Sequence, residues 1–163
     1  MPAHPEIRIG HVHLKVADLD RAVRFYRDVL GFAVTQYFGQ TAAFLSVGGY
    51  HHHIGLNTWE SRGGSEPPPG HTGLYHAAIL FPSRIELARA VRRVLDAGVP
   101  LTGASDHGVS EAVYLQDPDG NGLELYVDRP RDAWPVVNGE LQMSTAPLDL
   151  AGLLALADQP PTS

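Results

Sequence analysis

The segment Arg8–Gly31, RIGHVHLKVADLDRAVRFYRDVLG, decides the fold. Its first part, Arg8 to Val16, alternates apolar and polar residues, as a strand with one buried face does. Asp18 can then cap an amphipathic stretch from Leu19 to Leu30, where apolar residues recur at helical spacing before Gly31. The segment therefore predicts a strand followed by a helix that buries one face.

Short strand-like runs follow this helix and are separated by glycine-containing turns. They are Ala33 to Phe38, Thr41 to Val47 and His52 to Asn57. The first half thus predicts the order βαβββ.

The second half repeats the pattern. Leu74 to Phe81 is a strand candidate, and Ser83 with Glu86 forms a capping-box pattern before a helix from Ile85 to Leu95. The strands expected after it are Pro100 to Ser105, Ala112 to Gln116 and Gly122 to Val127. The predicted fold class is α+β, with two βαβββ modules forming a curved sheet around a pocket.

Three further segments lie outside the repeats. Thr58 to Gly73 is rich in glycine and proline, which predicts a connector or a lid. Leu148 to Ala157 is a short helix candidate, and Gln159 to Ser163 is typical of a frayed terminus.

Composition excludes several function classes. The net charge is -6 and no Lys/Arg run exists, which argues against a nucleic-acid partner. No cysteine is present, so any metal must be held by nitrogen and oxygen ligands. The start MPAHPEIRIG lacks an apolar signal core and no long apolar run occurs, so we expect a cytoplasmic protein without a membrane partner.

His11, His76 and Glu124 occupy matching places in the two halves. A carboxylate inside an apolar strand is costly unless it is paired or bound to a cation. Two imidazoles and one carboxylate leave coordination positions open, as in non-haem Fe(II) oxygenases. The three residues are therefore predicted metal ligands, with His13 as a weaker alternative to His11.

The chain resembles the vicinal oxygen chelate superfamily of glyoxalases, bleomycin resistance proteins and extradiol dioxygenases. HVHLKVADLDRAVRFYRDVLGF is similar to the family's first strand and helix, and YLQDPDGNGLELYVDRP to its closing hairpin. HHHIGLNTW, GLYHAAIL and GASDHGVSEAVYLQDPDGNGLELYVDRP are most similar to the N-terminal half of two-domain bacterial catechol 2,3-dioxygenases.

The resemblance implies site residues. Its metal ligands fall on His11, His76 and Glu124, while the fourth ligand of the glyoxalases falls on Gly55, which has no side chain to offer. The dioxygenase residues near the metal fall on Tyr114, on His107 and on His52, within the run His51 to His53. Those three are the predicted catalytic residues.

The resemblance also implies a domain plan. Residues 1–128 would form one vicinal oxygen chelate domain, with modules 8–57 and 74–127 and linker 58–73. Residues 129–163 would form a tail with a short helix. The two-domain dioxygenases contain four modules, whereas this chain has two and a tail.

The function implied is an Fe(II)-dependent extradiol ring-cleaving dioxygenase, with Mn(II), Ni(II) or Zn(II) as other metals that the ligands accept. Its partners would be a small aromatic diol and O₂, and a homodimer is expected. The alternatives are a glyoxalase-type isomerase, an antibiotic-modifying thiol transferase, and a metal-free drug-binding resistance protein.

Overall fold

The computed structural model describes residues 2–160, which fall into two compact units that meet in sequence between His71 and Thr72. The predicted frayed end, Gln159 to Ser163, lies outside the described residues from position 161 onward.

The N-terminal unit contains one four-stranded sheet and one helix. Its elements are β1 (Val12–Lys15), α1 (Leu19–Arg24), a π-helical turn (Phe25–Val29), β2 (Ala33–Phe38), β3 (Ala42–Ser46) and β4 (Ile54–Asn57). The strand order is β1-β4-β3-β2, with β1 parallel to β4 and the other pairs antiparallel. Asp18 caps α1 by accepting a hydrogen bond from the Arg21 amide at 2.9 Å, as its sequence position predicts.

The core of this unit lies between one sheet face and the helix. Leu14, Leu45 and Leu56 are buried from the sheet side, and Ala22 and Tyr26 are fully buried from the helix side. Fully burying one such large side chain contributes about 1.5–3 kcal/mol. The opposite face of the sheet is left for polar and aromatic side chains.

The C-terminal unit repeats this arrangement. Its first elements are β5 (Ala77–Leu80), α2 (Arg84–Asp96), β6 (Leu101–Asp106), β7 (Ser110–Gln116) and β8 (Gly122–Asp128). Strand β5 is parallel to β8, and the pairs β8 with β7 and β7 with β6 are antiparallel. Ser83 caps α2. The apolar face of α2 covers the buried side chains of β8.

A tail follows β8 within the C-terminal unit. It contains a 3-10 turn (Arg131–Ala133), β9 (Val136–Val137), β10 (Glu140–Leu141), β11 (Ala146–Pro147), α3 (Leu150–Ala155) and a second 3-10 turn (Leu156–Asp158). Strand β11 pairs with β6 at the sheet edge, and α3 packs against α2 with Leu153 fully buried.

An ion-pair network around the buried Glu111 fastens the start of α2 and the end of β8 to β7. The Glu111 carboxylate accepts from Arg84 at 2.8 Å and from Arg129 at 3.1 Å. Arg129 also donates to Asp106 at 2.6 Å. Because Asp106 ends β6, the network holds the loop that begins there.

The predicted α+β class and the βαβββ order of both halves are confirmed. The first strand is shorter than predicted, because its pairing with β4 begins at Val12 opposite Ile54 and not at Arg8. The predicted helix from Leu19 to Leu30 is found from Leu19 to Val29, and its second part is the π-helical turn and not a regular α-helix. Among residues 2–160, no helix has the length and apolar character that crossing a bilayer requires.

Candidate active site

His76 and Glu124 lie side by side in the C-terminal unit. Strand β5 runs parallel to β8 with Ala78 opposite Glu124, so His76 lies one pleat earlier on the same face. The His76 Nε2 atom is 2.9 Å from Glu124 Oε2, and only 13% of the glutamate side chain is exposed. Gly122 allows this approach, because a Cβ there would collide with the carbonyl oxygen of Tyr75.

This pair has the spacing of two ligands on one cation. Two donor atoms that each lie about 2.1 Å from a metal at a right angle are about 3 Å apart, close to the observed separation. The His76 Nδ1 atom is buried and has no hydrogen-bond partner among the described residues. A buried polar atom without a hydrogen-bond partner lowers the stability of the folded protein, so its presence calls for a functional reason. His76 and Glu124 therefore fit a divalent metal.

Tyr114 lies directly opposite Glu124 in the β7–β8 pair. Its hydroxyl oxygen is 3.2 Å from Glu124 Oε1. Burial, and next the negative charge of Glu124, raise the pKa of Tyr114 to about 12. The phenol therefore keeps its hydrogen at neutral pH in the protein without metal.

His107 extends this row of contacts. It lies in the turn between β6 and β7, and its Nε2 atom is 2.6 Å from the Tyr114 hydroxyl. Its Nδ1 atom is 2.9 Å from the carbonyl oxygen of Ser144 in the tail. The seven-residue spacing between His107 and Tyr114 does not by itself predict contact, but the hairpin folds the one ring back onto the other. Three contacts thus join His76, Glu124, Tyr114 and His107.

A cavity of about 450 Å³ opens beside His76 and Tyr114. Its other lining residues include Tyr75, Thr102 and Gln116, which the sequence did not single out. Gln116 follows Tyr114 by two positions in β7, so strand alternation could have assigned it to the same face. Tyr75 and Thr102 carry no such signal. The cavity is of the size that a small ring compound requires.

A larger cavity of about 910 Å³ lies in the N-terminal unit, along the start of α1 and the loop at Gly63 and Gly64. None of the predicted site residues lines it. The chemistry of the side chains, and not cavity size, therefore decides where the candidate site is placed.

His11 and His52 lie against one another in the N-terminal unit, with ring centroids 4.3 Å apart. Phe44 contacts His52 on the same sheet face, with centroids 5.1 Å apart. Burial, followed by the neighbouring charge of His11, lowers the pKa of His52, which favours the neutral ring. The other two residues of the run both lie against Tyr50, and His53 also contacts Ser46. His51 contacts His52 as well, with their Nδ1 atoms 2.7 Å apart.

Gly55 is the positional counterpart of Glu124 in the first repeat. The row His13, Gly55, Phe44 across β1, β4 and β3 corresponds to the row Ala78, Glu124, Tyr114 across β5, β8 and β7. The space over Gly55 is filled by the ring of His13, because a Cβ on Gly55 would lie 2.8 Å from His13 Cγ. Burial, and then His11, lower the pKa of His13.

The predicted ligands are thus distributed over both units. His76 and Glu124 are in contact in the C-terminal unit, and His11 lies in the N-terminal unit. Within either unit, no three His, Asp or Glu side chains of residues 2–160 converge to hold a metal ion.

Residues 8–125 match the profile of the Glyoxalase/Bleomycin resistance protein/Dioxygenase superfamily. The chain belongs to this superfamily. The match covers both βαβββ repeats up to the middle of β8 and ends before the tail.

Several of the similar curated proteins are dioxygenases by name. Catechol-2,3-dioxygenase of Bacillus subtilis is 40% identical over 153 residues, which are 93% of this chain and 52% of that protein. Biphenyl-2,3-diol 1,2-dioxygenase 3 of Rhodococcus globerulus is 32% identical over 136 residues, 82% of this chain and 71% of that one. The chain thus spans about half the length of the Bacillus relative.

The fold also matches solved members. A glyoxalase/dioxygenase from Nostoc punctiforme superimposes with a TM-score of 0.65 at 20% identity, over 80% of this chain and 98% of that chain. At this identity the likeness concerns the fold alone.

Proposed function

We propose that this chain is a metal-dependent extradiol dioxygenase that opens the ring of a small aromatic diol. The observation that carries the proposal is the row of contacts from His76 through Glu124 and Tyr114 to His107, beside a cavity of about 450 Å³. The similarity to two dioxygenases that are named for vicinal diols supports the substrate class.

His76 and Glu124, together with His11, would hold the metal, with Fe(II) favoured by this ligand set. Bound Fe(II) would supply a common centre for the two diol oxygens and O₂ and would lower the pKa of the diol hydroxyls. Both oxygen atoms of O₂ enter the ring-opened product, so the reaction needs no external reductant.

The chain's own residues would manage the protons. The pKa of His52 is lowered, which favours the neutral ring, and His52 would accept a proton from the diol. Tyr114 would donate its phenolic hydrogen to a substrate oxygen as charge develops there. Before a substrate binds, the phenol would donate this hydrogen bond to His107 Nε2, 2.6 Å from the phenol oxygen, and would turn from it to the substrate.

The first repeat argues against the four-ligand isomerase. The counterpart of Glu124 is Gly55, and the ring of His13 fills the space that a fourth side-chain ligand would need. A three-ligand site leaves more positions for a chelating diol.

The test is the metal content of anaerobically purified protein by elemental analysis, together with O₂ uptake on a panel of catechols. Glu124→Ala should lose the metal and the O₂ uptake, whereas the matched control Glu140→Ala, at an exposed position in β10, should keep both. Near-stoichiometric iron with catechol-dependent O₂ uptake is the expected result for the wild type.

Zinc or nickel without O₂ uptake would contradict the proposal and favour an isomerase or a thiol transferase. A protein without metal would contradict it in favour of a binding protein. Sedimentation of the same samples tests the proposed homodimer.

A further inference from the structure

The tail returns to the active-site loop. Strand β11 pairs with β6 through Ala146 opposite Asp106 and Pro147 opposite Ser105. The tail before β11 therefore lies directly beside the turn that carries His107. This part of the chain lies beyond the residues that match the superfamily profile.

Ser144 contacts His107 twice through its backbone. The Ser144 amide donates to the His107 carbonyl at 3.1 Å, and the Ser144 carbonyl oxygen lies 2.9 Å from His107 Nδ1. Side chains of the tail also pack closely against Gly108, because a Cβ at this position would lie 3.2 Å from Pro135 Cγ and from Ser144 Oγ. The tail is thus packed onto this turn by more than one contact.

The Ser144 contact determines where the imidazole hydrogen resides. A carbonyl oxygen only accepts hydrogen bonds, so His107 Nδ1 must carry a hydrogen to contact it at 2.9 Å. In the neutral ring the other nitrogen, Nε2, then has a free lone pair, and this lone pair faces the Tyr114 hydroxyl at 2.6 Å.

The tautomer of His107 also decides whether Glu124 receives a hydrogen bond from Tyr114. Tyr114 has one hydroxyl hydrogen and two neighbouring acceptors, His107 Nε2 and Glu124 Oε1 at 3.2 Å. With a bare Nε2, the phenol donates to His107 and leaves Glu124 Oε1 without that hydrogen bond. With a hydrogen on Nε2, the imidazole would donate to the phenol oxygen and the phenol hydrogen would turn to Glu124.

We infer that Ser144 is a positioning residue: its backbone carbonyl fixes the tautomer of His107, and the tail thereby keeps Nε2 as the hydrogen acceptor for Tyr114. The effect on turnover rests on the proposed dioxygenase function, whereas the tautomer is a property of the folded chain alone. The tail then affects proton transfer through a backbone carbonyl, and no side chain of the tail enters the cavity through this contact.

The test is side-chain nitrogen NMR of metal-free, ¹⁵N-labelled protein near neutral pH. His107→Gln assigns the His107 signals. Ser144→Pro removes the amide that donates to His107, and Ser144→Ala is the matched control that keeps both backbone bonds. We expect the Nδ1–H tautomer in the wild type and in Ser144→Ala, and a shift toward the Nε2–H tautomer in Ser144→Pro.

Kinetics on the metal-loaded protein provide the second readout. Ser144→Pro should lower kcat about tenfold, as partial loss of general acid–base catalysis does, while KM stays within about twofold. Ser144→Ala should change neither. If no diol supports O₂ uptake, the proposed function fails while the NMR result still decides the tautomer.

An Nε2–H tautomer in the wild type would overturn the inference. Proline keeps the carbonyl at position 144, so a folded Ser144→Pro protein with the wild-type tautomer overturns the inference when the wild type also lacks a scalar coupling between His107 Nδ1 and the Ser144 carbonyl carbon. If Ser144→Pro does not fold, a scalar coupling between His107 Nδ1 and the Ser144 carbonyl carbon in the wild type decides: its presence supports the inference, and its absence contradicts it.

Discussion

Gly55→Ala should destabilise the N-terminal unit, although alanine is normally preferred to glycine in a strand. Replacing a glycine inside a strand by alanine normally raises the free energy of unfolding by about 0.5–1 kcal/mol. The new Cβ, however, would lie 2.8–3.0 Å from three ring atoms of His13. Overpacking of this kind costs about 1–3 kcal/mol. The net loss should therefore be about 1 kcal/mol.

The sign of the effect should reverse when His13 is removed. In a His13→Ala background the space over position 55 is open, so Gly55→Ala should stabilise by about 0.5–1 kcal/mol. The coupling between the two substitutions is then roughly the overpacking term, about 2 kcal/mol. Gly103→Ala in β6 is the matched control, because its Cβ would meet only Tyr114, at an ordinary 3.6 Å. Its unfolding is followed by Trp134 in a protein in which Trp59 is replaced by Phe, since Gly103 lies in the C-terminal unit.

The assay is urea unfolding followed by the fluorescence of Trp59, with Trp134 replaced by Phe so that only the N-terminal unit is observed. Trp59 is a suitable reporter because its ring lies 5.5 Å from that of His13. The four proteins of the cycle are compared at equal m-values. An equal shift for Gly55→Ala in both backgrounds would refute the argument that His13 occupies this space.

Three further outcomes are expected. Tyr114→Phe should keep stoichiometric metal and lower kcat at least tenfold, since only the phenolic hydrogen is lost; unchanged turnover would reject its catalytic role. Asp106→Asn should cost about 1–2 kcal/mol at neutral pH in urea unfolding. The Gly108 amide, and then Arg129, lower the Asp106 pKa. This stabilisation is present above the ordinary carboxyl value of 3.8 and is lost as the pH falls through the lowered folded value, so the two unfolding curves should converge in acid. Leu153→Ala should cost about 2–4 kcal/mol in thermal unfolding, because its side chain is fully buried against α2; a loss below 0.5 kcal/mol would contradict that packing.

The repeat was predictable because each half carries strong periodic signals. Ser83 and Asp18 cap the helices that their positions predict, and the strands fall within a few residues of the expected bounds. These features are local in sequence. The start of β1 was not predictable, because it depends on where β4 begins.

The site was predictable in its residue types and only partly in its contacts. Strand alternation places Glu124 and its neighbours on one face, but the contact of His107 with Tyr114 depends on a turn that brings residues seven positions apart to 2.6 Å. The contact with Ser144 spans 37 positions and follows from β11 pairing with β6. No short-range pattern encodes such a contact.

The π-helical turn at Phe25–Val29 lies beyond the part of the first repeat that sets the place of His11. The Leu30 amide bonds to the carbonyl of Phe25 five positions earlier, so this turn encloses one residue more than a regular helical turn. The surplus residue lies after the Asp18 cap, so it does not alter the spacing from the histidine to the cap. That spacing is seven residues in both repeats, from His11 to Asp18 (18 − 11 = 7) and from His76 to Ser83 (83 − 76 = 7). The two imidazoles therefore correspond without a gap, and the difference in helix length between the repeats falls after them.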